Sequence, residues 1–325
     1  VKSAVVWSGV LIALALGAMI PARTGDIQSH PRPARSYTDA VDRARAGIAA
    51  DDSVVARGGA TILLAHGSSR PRADVLIHGF TDSPRQFAAL AESLYASGDN
   101  VYVPRLPHHA ERGRNVAELG RLTAVELART TDAAVDIAAG LGDSVMLLGL
   151  SVGGTLAVWA AEHRPEVRRV VVIAPPFEIT HIPSLLERPV FNLASRMPNL
   201  SFGAALDSAR PDRYPGVATR GLAQILVLGV AVRRDADRLA PGAAEAAFLV
   251  NAHDHTVKEA AVLDVARVWT RRGVPVMVYE FPHPLELPHN IIDPAQPVAL
   301  AERVYPILQA LLHGERPQSL VVVRW

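Results

Sequence analysis

The stretch from Val145 to Gly154, Val-Met-Leu-Leu-Gly-Leu-Ser-Val-Gly-Gly, constrains the fold more than any other part of the chain. An apolar run ends in Gly-x-Ser-x-Gly, and a helical pattern from Thr155 to His163 follows at once. This is the pattern of a strand that turns sharply into a helix, with the Ser151 hydroxyl held clear of the sheet. Glycine at 149 and 153 has a steric reason. Strand and helix pass so close at such a turn that a Cβ at either position meets neighbouring backbone. The helix start behind Ser151 leaves free N–H groups facing any negative charge that develops beside it. Ser151 is the candidate nucleophile, and the alternative is a tight turn carrying an idle serine.

The flanking sequence repeats the same rhythm. Thr61–Gly67 and Ala73–Phe80 are short apolar runs that read as adjacent strands, followed by a helix over Pro84–Ser97 with proline in its first turn. Strands are expected at Asn100–Pro104, Ser144–Leu150, Val167–Ala174, Ala247–Asn251 and Val274–Phe281. Helices are expected at Thr123–Leu141, Val152–His163, Val257–Arg271 and Val298–Leu312. Such alternation predicts an α/β fold with a mostly parallel sheet covered on both faces. The core is assigned to residues 58–174 and 243–315, with 316–325 as a tail. Between them, 175–242 is rich in proline yet holds helix-like runs such as Leu222–Val232. It is too long and apolar for a plain loop and reads as an inserted helical cap lying over the serine. Its apolar residues, Leu185, Leu186, Val190, Phe191, Leu193, Met197, Leu200 and Phe202, fit an acyl pocket or the small core of the cap itself.

Upstream, Lys2 precedes an apolar run from Ala4 to Ile20. One positive charge before such a run is the pattern of an export signal, and it is short for a helix spanning a bilayer of about 30 Å. Residues 1–22 are therefore expected to export the protein, secreted or periplasmic, or to tether it to a membrane; a buried N-terminal helix is the other reading. Residues 23–57 read as a polar linker and a weak helix around Tyr37–Ala49. The 325 residues are 49% hydrophobic and 20% charged, enough for an ample core. A net charge of +1 gives no field that would gather nucleic acid. The chain has no cysteine, which excludes a thiol nucleophile, disulfides and cysteine metal sites.

A serine hydroxyl needs a base, and the base needs an orienting group. Four segments supply these parts in order: His78-Gly79-Phe80, Gly149-Leu150-Ser151-Val152-Gly153-Gly154, His253-Asp254 and Pro288-His289. With them, the chain from about Ala60 to Gly314 resembles the α/β-hydrolase superfamily, within the serine esterases and monoacylglycerol-lipase-like carboxylesterases. In that fold the acid follows the penultimate strand and the histidine follows the last. Asp254 is then the acid, with Glu178 after the preceding strand as the alternative. His289 is the histidine, with His283 nearer the strand end as the alternative. The oxyanion amides fall to Phe80 and Val152, and His78 and Gly79 are placed at the substrate.

The resemblance implies an acyl-enzyme route on a small-molecule ester, with the cap setting substrate choice. The expectation is a carboxylesterase acting on lipophilic esters of short to medium acyl length. A thioesterase, amidase, peptidase or acyltransferase with the same triad is the second reading, and a binding domain without turnover the third. No cofactor is expected. His253 and His255 flank Asp254, but no further ligand set completes a metal site. His66-Gly67-Ser68 mimics the oxyanion turn and reads as a plain loop. His108 and His109 fall in a loop near the pocket mouth.

Overall fold

A computed structural model describes residues 17–21, 24–51, 53–203, 210–239, 241–251, 253–281, 285–293 and 300–323. At its centre are strands β1 (Ile62–Leu64), β2 (Ala73–Ile77), β3 (Asn100–Val103), β4 (Val145–Leu150), β5 (Val167–Ile173), β8 (Glu245–Asn251), β9 (Val276–Phe281) and β10 (Val321–Val322). They form one eight-stranded sheet in the order β1-β3-β2-β4-β5-β8-β9-β10. The two edge strands are antiparallel to their neighbours, and the six between them are parallel. Every residue of β2, β3 and β4 is buried. That is why these segments read as continuous apolar runs rather than alternating ones.

Side chains of successive strand residues feed two cores. Val75, Ile77, Leu147 and Val172 face helices α1 (Tyr37–Asp51), α3 (Ala124–Leu141), α4 (Val152–His163), α6 (Thr219–Ala236) and α7 (Glu259–Arg271). Leu76, Leu148 and Ile173 face α2 (Ala88–Ala96) and α8 (Ala301–His313) on the other side. Helix α3 begins at a capping box, with Thr123 and Glu126 satisfying each other's backbone N–H groups.

Strand order departs from expectation at one place: β1 pairs with β3, not with β2. From β2 the chain crosses by α2 to β3 on one side, then returns by α3 to β4 on the other. This reversal opens a crevice beyond the carboxyl ends of β2 and β4, where open α/β sheets bind their ligands. The loop after β2 and the turn after β4 both end there.

The stretch 175–242 divides in two. Helix α6 is the crossover between β5 and its parallel neighbour β8, and its residues Leu226, Leu228 and Val232 are buried in the core beside α4. Only the part before it leaves the layers: α5 (Ser184–Ala194) and the antiparallel pair β6 (Ser201–Phe202) and β7 (Val217–Ala218). There Phe191 is buried, whereas Leu185, Leu186, Val190, Met197, Leu200 and Phe202 stand exposed. These six therefore form neither a closed acyl pocket nor a cap core.

The segments read as a linker and a tail are, in their described residues, more integrated than their polarity suggested. Ile27, Ala40 and Ala44 are buried, and the backbone near residue 30 is tied to α3. Ser29 Oγ donates to Asp132 at 2.6 Å and the Arg32 amide to Asp136 at 2.9 Å. Both carboxylates are held by the fully buried Arg164. The segment read as a tail supplies edge strand β10. Among the described residues no helix is long and apolar enough to cross a membrane. Most of the run from Ala4 to Ile20 lies outside them, as does His283.

Candidate active site

Ser151 sits at φ 58° and ψ −122°, between β4 and α4. A non-glycine residue in such a conformation carries about 1–3 kcal/mol of strain, which the surroundings must hold. They do so through backbone. The Ser151 amide donates to the Ile173 carbonyl at the end of β5, 2.9 Å away. A Cβ at Gly149 would overlap the Gly153 carbonyl, and one at Gly153 would overlap the Ile77 carbonyl. Thus the elbow locks β4, α4 and β2 together at the crevice.

Asp254 lies in the loop after β8 with its side chain only 3% exposed. Its Oδ1 accepts the Thr256 amide at 2.8 Å, and its Oδ2 is 2.6 Å from His289 Nδ1. Burial pushes this carboxyl up, but the hydrogen bond and charge of His289, with Thr256, outweigh it and hold Asp254 below the ordinary carboxylate value. His289 is itself anchored from behind, because Asn251 at the end of β8 donates to the carbonyls of Leu287 and Pro288.

The histidine loop reaches back toward the loop after β2. The loop leaves β9, yet Asn290 Nδ2 lies 3.4 Å from Asp82 Oδ2, in the loop after β2. β4, which ends just before Ser151, lies between β2 and β9 in the sheet, so the histidine loop reaches from the β9 side to the loop on the far side of β4. No hydrogen bond joins Ser151 Oγ to the His289 ring among the described contacts. In ligand-free enzymes such bonds are commonly long and tighten with substrate.

Val152 opens α4, where the first amides have no intrahelical acceptor. Phe80, 9% exposed, lies on the facing turn, and its amide donates to no described protein group. His78 and Gly79, expected at the substrate, are bonded within the protein. His78 is fully buried, its Nε2 accepting the Leu106 amide at 3.1 Å and its Nδ1 donating to the Gly79 carbonyl at 2.9 Å. Burial, and after it His109, push His78 well below the usual histidine range, so the ring is a neutral brace. Gly79 spends its amide on Gln86 Oε1 at 2.9 Å. The two residues shape the turn that carries Phe80.

Of the alternative residues, His283 lies outside the described residues, and the others have partners of their own. Glu178 is bound to Arg233, Lys258 and Ser184, and so is committed to pinning the start of the insert. His66 stacks on Tyr95 at 3.9 Å and bonds the Tyr95 carbonyl, as a plain loop residue. His109 is fully buried against Phe80, and burial lowers it to about 4. Among the described residues the one grouping with metal-ligand spacing is His108, Glu111 and Glu118, which includes neither His253 nor His255. Sequence reasoning missed Asn251 and Gln86. Asn251 is a polar residue closing an apolar strand, which was the available signal; Gln86 gives none.

The profile of the alpha/beta hydrolase family matches residues 75–317. The chain belongs to the alpha/beta hydrolase family. A thermostable monoacylglycerol lipase from a Bacillus species is 26% identical over 187 residues, covering 56% of this chain and 70% of that protein. A pyrethroid hydrolase from Sphingobium wenxiniae is 32% identical over 92 residues, 28% of this chain and 31% of its own length. Among solved structures, a metagenome-derived lipolytic enzyme has a TM-score of 0.60 at 20% identity, covering 80% of this chain and all of the other. The monoacylglycerol lipase of Paleococcus ferrophilus has a TM-score of 0.59 at 18% identity, covering 78% and 98%. At these identities the structural likeness establishes the fold. The span that matches the alpha/beta hydrolase family includes Ser151, Asp254 and His289.

Proposed function

We propose that this alpha/beta hydrolase cleaves lipophilic carboxylic esters of short to medium acyl length through an acyl-enzyme at Ser151. One observation carries the reading: the ring of His289, on a loop that reaches the turn after β2, is bonded at 2.6 Å to the buried carboxylate of Asp254. In this mechanism Ser151 Oγ attacks the ester carbonyl and passes its proton to His289 Nε2. Asp254 holds Nδ1–H, fixing tautomer and orientation, and stabilises the imidazolium. The tetrahedral oxyanion faces the amides of Phe80 and Val152, each of which contributes about 2.7–4 kcal/mol if it behaves as such donors do. His289 then protonates the departing alcohol, and water repeats the sequence to release the acid.

The choice of a lipophilic ester is supported by the Bacillus relative, which is a monoacylglycerol lipase, and by the exposed apolar residues of the insert. Turnover of a series of p-nitrophenyl esters of increasing acyl length tests both parts. The wild type should hydrolyse them with a maximum at short to medium chains. Ser151→Ala should lose at least about 10³-fold in kcat while keeping its fold. Undiminished turnover in that variant would sink the mechanism.

A further inference from the structure

Behind the oxyanion turn lies a buried charge cluster that the reaction as described does not use. Arg210, on the returning limb of the insert, is 7% exposed. Its Nη2 lies 3.0 Å from Asp82 Oδ1 and also bonds Asp212 Oδ2, while its Nη1 bonds Asp293 Oδ2. Arg213 Nε stands 3.7 Å from Asp82 Oδ2, and Arg85 Nη1 stands 3.6 Å from Asp212 Oδ1. Ser83 Oγ donates to Asp212. Three acids face three arginines, and among the described ion pairs Arg210 alone reaches all three acids.

The acids come from three separate parts of the chain. Asp82 is two residues beyond Phe80, on the oxyanion turn. Asp293 is four residues beyond His289, on the histidine loop. Asp212 belongs to the insert. Further bonds tighten the same junction: Gln86 Nε2 donates to Asp82 at 3.2 Å, and the Tyr214 amide donates to the Thr81 carbonyl at 2.9 Å. A buried ion cluster is a poor source of net stability, because desolvation offsets most of the attraction. A planar guanidinium does something an apolar plug cannot, since its two edges hold different carboxylates at fixed angles.

We propose that Arg210 is a positioning residue for the hydrolysis described above. One guanidinium from the insert fixes the oxyanion turn and the histidine loop relative to each other, so that the Phe80 amide and the His289 ring converge on one carbonyl. This rests on the esterase reading and deepens it. Misplacing reacting groups by about 1 Å costs on the order of 10²-fold in rate. Because Arg210 touches no substrate, the loss belongs in kcat.

The test is steady-state turnover of p-nitrophenyl butyrate by wild type, Arg210→Met, Arg210→Lys, Asp293→Asn and the Arg210→Met/Asp293→Asn double variant. Each protein is first shown by circular dichroism to be folded at the assay temperature. The single variants should lose about 10- to 100-fold in kcat, with KM within about threefold of wild type. Lysine keeps the charge but lacks the fork, so it should restore little. The double variant should be no slower than Arg210→Met alone, since Arg210→Met already removes the tie that Asp293→Asn cuts. Wild-type kcat in a folded Arg210→Met or Asp293→Asn, multiplying losses in the double, or a loss confined to KM would each overturn the inference. If Arg210→Met does not fold, the isosteric Asp293→Asn decides by itself. A wild type that turns over no ester overturns the esterase reading and this inference with it, whereas retained kcat in the variants overturns this inference alone.

Discussion

At the scale of single residues, the site depends on where one proton sits. In the proposed mechanism His289 can take a proton at Nε2 only while Nδ1 carries hydrogen toward Asp254, a tautomer the 2.6 Å contact with that carboxylate favours. Asp254→Asn keeps the shape but turns an N–H toward Nδ1, favouring the wrong tautomer. We expect kcat to fall by about 10⁴-fold with the melting temperature little changed, measured on a soluble p-nitrophenyl ester. Near-wild-type kcat in Asp254→Asn would remove Asp254 from the mechanism. Ser151, Asp254 and His289 could be singled out in the sequence because each follows an apolar strand, and the structure joins two of them, His289 and Asp254. The roles of His78 and Gly79 were not legible. Their position next to the oxyanion amide suggested substrate contact, but whether a histidine faces a pocket or a core depends on Leu106 and His109, which arrive from another loop.

At the scale of elements, the elbow is a three-way backbone contact among β2, β4 and α4, so its glycines tolerate no added carbon. Gly153→Ala should destabilise the fold by about 2–3 kcal/mol, since the obstacle is the Ile77 carbonyl and not a side chain that can swing away. Urea unfolding measures this, and a midpoint equal to wild type would contradict the packing. Helices α4 and α7 meet at a second sensitive point. Glu162 is buried, one oxygen accepting Trp269 Nε1–H at 3.2 Å and the other without a partner. Burial raises its carboxyl well above the ordinary 4.5. A raised folded-state value means that the stability from this group is full below the ordinary carboxyl value and is lost as pH rises through the folded one. Glu162→Gln should therefore melt like wild type near about pH 4 and above it near about pH 8. A difference independent of pH would show that Glu162 does not titrate as described.

Strand order shows why element-level reading stops short. The apolar runs at Thr61–Gly67 and Ala73–Phe80 are close in sequence, and adjacency was the natural inference. The sheet instead inserts β3 between them, because the β2–α2–β3 crossover returns to the β1 side. The same limit applied to residues 175–242, where prolines marked a departure from the core but could not reveal that α6 rejoins it as the next crossover helix.

At the scale of the molecule, two buried arginines join parts that lie far apart in the chain. Arg164 gathers Asp132, Asp136 and Glu166 at the end of α4, and the first two carboxylates in turn hold the segment around Ser29–Arg32. Arg210 gathers the insert, the oxyanion turn and the histidine loop. Such hubs leave no trace in local periodicity, since their partners are as many as 128 residues away. All of this architecture converges on one claim, that Ser151 is an activated nucleophile. The most direct test is intact mass after exposure to a fluorophosphonate, on wild type and on Ser151→Ala. A single covalent adduct on the wild type and none on the variant is the predicted result. An unlabelled but folded wild type, or an adduct that survives in Ser151→Ala, would contradict it.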